Sequence, residues 1–178
     1  IFAEELFPEF FYAQMRDGRE ARPISIVSAG CSSGEEPYSI AMTLLDRHGG
    51  SIPFMVHGGD VDGQALAVAR NARYGENAFR SVDEILRSRY FFREAPGRER
   101  IADHIREKVD FFSFNLISAD YPSTLQGADF IFYPEFTRDG KPVVVFTDGF
   151  TYHAGKGDNN RIGKDLAQRM AIVRSGKY

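Results

Sequence analysis

The chain has 178 residues, of which 43% are hydrophobic, and carries 22 Lys and Arg against 25 Asp and Glu. This composition predicts one globular domain, and the net charge of −3 argues against a nucleic-acid-binding surface. No apolar run reaches the ~20 residues of a membrane span. The single cysteine, Cys31, excludes an internal disulfide and is typical of a cytoplasmic protein. The four histidines lack the spacing of metal ligands, so we expect no metal site.

The first predicted elements are a helix, a strand and a second helix. Residues 1–17 are rich in aromatic side chains and predict an amphipathic helix interrupted at Pro8. Residues 24–27 predict a buried strand, and the spacing of apolar residues at 40–47 predicts a helix that ends at Gly49. Between them, residues 28–39 read SAGCSSGEEPYS, a glycine turn that leads into the helix.

This turn is a candidate ligand site. Its glycines allow close approach of a ligand to the backbone, and the helix start offers free N–H groups. Glu35 and Glu36 would repel a polyphosphate, and the Lys-Ser/Thr ending of a P-loop is absent. A ligand with a ribose, an amino group and positive charge fits better. S-adenosylmethionine has these groups, with Glu35 or Glu36 as the partner of its amino group.

Another acidic residue, Asp60, follows the next predicted strand, at 54–59. Asp60 lies at about the distance beyond the glycine turn at which an acid in a doubly wound fold binds the ribose hydroxyls. The alternative is that Asp60 is a simple cap. We assign the capping role to Asp62, at the start of a helix predicted over 64–73.

The middle of the chain predicts a helix, a polar stretch and two strands. Ser81 is the predicted cap of a helix over 81–89, with Glu84 as its capping-box partner. Residues 90–92 form an aromatic cluster, and residues 93–106 predict a charged, exposed stretch. Strands are predicted at 109–114, ending in Asn115 and Leu116, and at 127–132.

Residues 28–42, SAGCSSGEEPYSIAM, resemble the first motif of the CheR family of chemotaxis methyltransferases, and the resemblance extends from about residue 6 to residue 132. It implies an α/β, Rossmann-like doubly wound sheet, S-adenosylmethionine as cofactor, and methyl transfer to glutamates of chemoreceptor cytoplasmic domains. It also places Asn115 and Leu116 against the adenine end of the cofactor, although Asn115 could equally be a turn residue. The candidate cofactor-binding residues are therefore Ala29, Gly30, Gly34, Glu35, Glu36, Asp60, Asn115 and Leu116.

The chain departs from the family after residue 132. Tyr133, Pro134 and Glu135 replace the family's Cys-Arg-Asn, and the helical segment that supplies its active-site arginine is missing, so no catalytic residue is assigned. We therefore divide the chain into a truncated methyltransferase domain, 1–132, and a divergent segment, 133–178. That segment predicts a strand at 143–148 and a basic helix at 161–175, packed on the same sheet.

Two alternatives remain open at this point. One is a catalytically impaired module that only binds the cofactor. The other rests on a short likeness of the tail to the end of bacterial helicase-like proteins, with Glu135 and Asp148 as acids of a nuclease-type metal site. The acid-x-lysine that such a nuclease needs is absent.

Overall fold

The structure is a computed structural model that describes residues 2–16, 22–79, 82–115, 123, 128–138 and 141–146. Leu116, Asp148 and the helix predicted at 161–175 lie outside the described residues. The strands are β1 (Ile24–Ala29), β2 (Phe54–Asp60), β3 (Arg73–Gly75), β4 (Phe91–Ala95), β5 (Arg98–Ile101), β6 (Val109–Ser113), β7 (Phe130–Arg138) and β8 (Lys141–Phe146). The α-helices are α1 (Phe7–Arg16), α2 (Glu35–His48), α3 (Gly63–Asn71), α4 (Glu84–Tyr90) and α5 (Asp103–Arg106).

The main sheet has five strands in the order β6-β2-β1-β7-β8. β1 pairs in parallel with β2 and β7, and β2 pairs in parallel with β6, whereas β8 is antiparallel to β7. A mostly parallel sheet with helical crossovers is the architecture of a doubly wound α/β domain. The predicted Rossmann-like fold class is therefore confirmed.

The central strand β1 explains the arrangement of the core. Ile24, Ile26 and Val27 are completely buried, as expected for a parallel strand with both faces covered. Phe7 and Phe11 of α1 belong to the same buried cluster as Ile24 and Ile26. The predicted interruption of the first helix is a change from a π-helical segment, Phe2–Leu6, to α1, and Pro8 lies in the first turn of α1, where proline is tolerated.

A second, antiparallel sheet in the order β3-β5-β4 was not predicted. Residues 93–106, predicted only as a charged, exposed stretch, contribute β5 and part of β4 to it, and within them Ile101 and Ile105 are buried. The charged side chains pair across the strands and with α4: Arg73 contacts Glu94, and Arg87 donates to Glu99 at 2.7 Å. A pattern of charges that looks solvated in the sequence thus stabilises a small sheet.

The cap of α4 also differs from the prediction. The helix begins at Glu84, and the Asp83 side chain accepts a hydrogen bond from the Ile85 N–H at 2.8 Å. The predicted cap at Ser81 was wrong because Asp, two residues later, makes the same type of cap. Asp62, in contrast, caps α3 as predicted and accepts from the N–H groups of Gln64 and Ala65.

Beyond Phe132 the strand β7 leaves the parallel sheet. β1 pairs with β7 only as far as Ser28 and Phe132, whereas β7 continues to Arg138 in pairing with β8. The β7–β8 ribbon therefore extends past the carboxyl end of β1.

Among the helices that the structure describes, none has the length and apolarity needed to cross a membrane.

Candidate functional site

The turn after β1 has a backbone that is fixed by the end of β2. Gly30, Ser32 and Gly34 have φ angles of +82°, +49° and +90°. The N–H groups of Gly30 and Cys31 both donate to the carbonyl of Gly59, at 2.7 and 3.0 Å. The turn is therefore held against the carboxyl end of the neighbouring strand, the edge where α/β sheets bind ligands.

Aromatic and small side chains press against the glycines of this edge. A Cβ on Gly34 would lie 2.8 Å from the Cβ of Ala69 and 3.1 Å from Phe111. A Cβ on Gly58 would lie 2.6 Å from Phe111, and one on Gly59 would lie 2.8 Å from Phe112. Packing within the protein thus disfavours a side chain at all three glycines, and Gly34 is also favoured by its positive φ angle.

The two glutamates of the motif have different surroundings. Glu36 is half-buried, and its Oε1 accepts a hydrogen bond from the hydroxyl of Ser28, which is completely buried, at 2.7 Å. Burial raises the pKa of the Glu36 carboxyl, and the Ser28 hydrogen bond opposes that rise. Glu35 is exposed, and both its carboxylate oxygens lie within 2.9 Å of the Ser33 hydroxyl.

Asp60 joins the glycine turn to the end of β2. One oxygen, Oδ2, accepts from the Ser32 N–H at 2.7 Å, and the other, Oδ1, accepts from the Asp62 N–H at 2.9 Å. A carboxylate that accepts backbone N–H groups is well oriented because such hydrogen bonds are charge-assisted. Asp60 is therefore fixed beside the turn by contacts of the capping type, and its binding to a ribose stays a prediction.

The third strand end that reaches this edge is that of β6. The Phe114 N–H donates to the Asp60 carbonyl at 2.9 Å, so the next residue, Asn115, lies at the same edge of the sheet. Asn115 is exposed, and Val61 is 68% exposed. The edge thus combines an apolar surface and an amide next to the two acids.

Residues that sequence reasoning did not single out support the turn. The Tyr74 hydroxyl donates to the Ser33 carbonyl at 2.8 Å, and the Tyr38 hydroxyl donates to the Ala69 carbonyl at 3.0 Å. Burial raises the pKa of the Cys31 thiol to about 12, so this cysteine is not a thiolate nucleophile at neutral pH. The only sequence feature that could have indicated this role is that both residues are tyrosines, because a buried Tyr hydroxyl needs a hydrogen-bond partner.

The sequence model of a known family, described as "CheR methyltransferase, SAM binding domain", matches residues 3–135. The chain belongs to the CheR family. The matched region of the family is its S-adenosylmethionine-binding domain, so S-adenosylmethionine is the cofactor.

Named relatives of this CheR-family chain come from several bacteria. It is 38% identical over 112 residues to "Probable biofilm formation methyltransferase WspC" of Pseudomonas putida, which covers 63% of the chain and 26% of that protein. It is 34% identical over 119 residues to chemotaxis protein methyltransferase 2 of Pseudomonas aeruginosa, which covers 65% of the chain and 42% of that protein. The chemotaxis protein methyltransferase of Escherichia coli is 34% identical over 108 residues, which is 58% of the chain and 37% of that protein. The chain thus spans less than half the length of these relatives.

The donor set at this edge of the CheR domain fits the cofactor. Two carboxylates, Glu36 and Asp60, match a positively charged amino group and a pair of ribose hydroxyls, and Val61 offers an apolar contact for a base. In the described residues no three His, Cys, Asp or Glu side chains are grouped as metal ligands.

Proposed function

We propose that this chain binds S-adenosylmethionine at the carboxyl edge of the main sheet and transfers its methyl group to glutamate carboxylates of chemoreceptor-type proteins. The observation that carries the proposal is the meeting of Glu36, Asp60 and Asn115 at one sheet edge, within the region matched by the family's cofactor-binding domain. Their individual roles are inferred below from charge, burial and hydrogen bonding.

Glu36 is the better candidate for the amino group of the cofactor. It is half-buried beside the turn, and one of its oxygens is already held by Ser28. A partly desolvated carboxylate attracts an ammonium group more strongly than an exposed one does. Glu35 is exposed and interacts with Ser33, so we assign it a part in shaping the turn.

Asp60 is the candidate for the ribose, and the residues after it are candidates for the adenine. Each Asp60 oxygen accepts one backbone N–H and retains a second lone pair for a hydroxyl. Val61 and Asn115 stand beside it, with the apolar surface and the amide that a purine ring uses. Ala29, Gly30, Gly34 and Leu116 complete the proposed site, the glycines by allowing the backbone to come close.

S-adenosylmethionine supplies, when bound, a methyl group on a positively charged sulfur. The residues of the chain need to hold and orient the reactants, because the attacking oxygen of a glutamate substrate is already ionised and requires no general base. In this proposal Glu36 holds the amino group of the cofactor and Asp60 holds its ribose. Alignment then provides most of the rate enhancement.

A protein carboxylate is proposed as acceptor because relatives at 34% identity are chemotaxis protein methyltransferases. A second candidate function is cofactor binding without efficient transfer. It is favoured by the β7–β8 ribbon, which continues past the carboxyl end of β1, and by Glu135, whose charge would repel an anionic substrate.

The test combines two measurements on the same preparation of the chain. Calorimetric titration with S-adenosylmethionine and S-adenosylhomocysteine measures binding. Incubation of the labelled cofactor with chemoreceptor cytoplasmic fragments measures transfer, and alkali-labile release of labelled methanol identifies a methyl ester. Binding with ester formation supports the proposal, binding without it supports the second candidate, and absence of binding contradicts both.

A further inference from the structure

The end of β1 carries a buried polar side chain, Ser28, that has no assigned role of its own. Ser28 is completely buried, one residue before β1 ends, and its hydroxyl donates to Oε1 of Glu36 at 2.7 Å. Eight residues separate the two along the chain, so this bond spans the whole glycine turn. It links the central strand directly to the first turn of α2.

The other oxygen of Glu36 is open to a ligand. Within the described part of the chain Oε2 accepts no hydrogen bond. It is also not one of the buried side-chain atoms that lack a partner, which are the Nε atoms of Arg100 and Arg106. Oε2 therefore reaches solvent. The carboxylate is thus held at one oxygen by the strand, and the other is accessible from solvent.

We infer that Ser28 is a positioning residue, whose hydroxyl holds the Glu36 carboxylate in place as the acceptor for the α-amino group of S-adenosylmethionine. This inference rests on the proposed role of Glu36. Ser28 itself does not touch the ligand, since it is fully buried. A hydroxyl that donates to a carboxylate also favours the charged form, which an ammonium group requires.

The pH dependence of binding provides the readout. Burial raises the pKa of the Glu36 carboxyl and the Ser28 bond opposes this, so removal of the hydroxyl raises that pKa further. Because the ammonium needs the ionised carboxylate, affinity is lost as the pH falls through this pKa. Removal of the Ser28 hydroxyl therefore moves the pH at which half of the affinity is lost to a higher value.

Other ionisable groups lie on the glycine turn and the elements packed against it. Burial raises the pKa of the Cys31 thiol to about 12 and that of the Tyr74 hydroxyl still further, so both stay neutral over the pH range of the test. Glu35 on α2 and Asp60 at the end of β2 are the remaining carboxylates, and their titration is measured separately in a variant that lacks the Glu36 charge.

The experiment is a calorimetric titration of the full chain with S-adenosylmethionine between about pH 5 and pH 7.5, where the amino group of the ligand is protonated. We expect Ser28→Ala to weaken binding at pH 7 by about three- to thirty-fold and to raise the midpoint by about one pH unit. Ser28→Cys, which preserves the side-chain size, should behave like Ser28→Ala. Ser25→Ala, on the same strand, should behave like the wild type.

Two comparisons separate positioning from general destabilisation. In a Glu36→Gln background, Ser28→Ala should cause no further loss, because its effect passes through the charged carboxylate. Methylthioadenosine, which lacks the amino-acid part of the cofactor, should bind wild type and Ser28→Ala equally.

Each outcome has one meaning. A similar loss for methylthioadenosine, or a loss that persists in the Glu36→Gln background, overturns the positioning role. Equal affinity and equal pH midpoint for wild type and Ser28→Ala overturn it as well, while the proposed cofactor site stands. A wild-type chain that does not bind S-adenosylmethionine overturns the proposed function, and this inference with it.

Discussion

Replacement of Asp60 by Asn tests whether the acid at the end of β2 both organises the turn and binds the ribose. In the free protein its two oxygens accept the N–H groups of Ser32 and Asp62, at 2.7 and 2.9 Å. An asparagine amide has one oxygen, so it can accept only one of these and turns an NH2 group toward the other donor. Losing one charge-assisted bond costs about 1.5–3 kcal/mol.

That loss should appear in stability and in affinity. For a chain of this length, it corresponds to a decrease in Tm of about 3–12 °C. Loss of the charged acceptor for the ribose should weaken S-adenosylmethionine binding by about ten- to hundred-fold. The assays are a thermal melt followed by circular dichroism and a calorimetric titration at a temperature well below the Tm of the variant.

Asp62→Asn is the matched control. It changes an exposed acid two residues away that caps α3, and asparagine is as good a cap as aspartate, so both stability and affinity should be close to those of the wild type. If Asp60→Asn binds the cofactor as tightly as Asp62→Asn does, Asp60 does not belong to the site. If its Tm is also unchanged, the hydrogen bonds to the turn do not matter either.

Three further predictions concern residues in the main sheet or next to it. Gly58→Ala should lower the free energy of unfolding by about 1–3 kcal/mol in a denaturant titration, because the new Cβ would lie 2.6 Å from Phe111. Glu36→Gln should weaken S-adenosylmethionine binding at pH 7 by about ten-fold or more and reduce the loss of affinity that the wild type shows on acidification, as read by calorimetry across pH. Asp129→Asn should lower stability by about 1–3 kcal/mol, because this buried carboxylate pairs with Arg22 at the opposite end of the strands. Its cofactor affinity should stay that of the wild type, and a parallel loss of affinity would contradict the proposed location of the site.

Strands β1 and β2 and the glycine turn that follows β1 could be predicted from the sequence because their signals are local. Ile24, Ile26 and Val27 form a short β-branched run, and a strand buried on both faces needs such a run. The glycines after it and Asp60 at the end of the next strand mark the carboxyl edge. Each of these features is visible within a few residues of chain.

The second sheet could not be predicted because its stabilising contacts are non-local. Arg87 donates to Glu99 at 2.7 Å and to Glu76 at 3.0 Å, and its guanidinium lies 4.1 Å from the centre of the Phe79 ring. In the sequence these charges are separate and predict a solvated surface. Only the folded arrangement shows that they neutralise each other across β5 and α4.

The types of residue in the candidate site could be predicted from the sequence, but not which of the two glutamates lies beside the end of β1. Adjacent residues of a helix point about 100° apart, so Glu35 and Glu36 cannot face the same surroundings. The structure shows which one turns toward the end of β1, where the hydroxyl of Ser28 reaches it. A hydrogen bond across eight residues and a change of secondary structure leaves no periodic signal in the sequence.

The glycines of the turn show why a motif alone does not identify a ligand site. Gly30 and Gly34 have positive φ angles, so any side chain there is strained whether or not a ligand binds. A Cβ on Gly34 would also lie 2.8 Å from the Cβ of Ala69. Lost binding in a Gly30→Val or Gly34→Ala variant would therefore report on the fold as much as on the site. Glu36→Gln is the better test, because Gln keeps the shape of the side chain and removes the charge that the ammonium group of the cofactor needs.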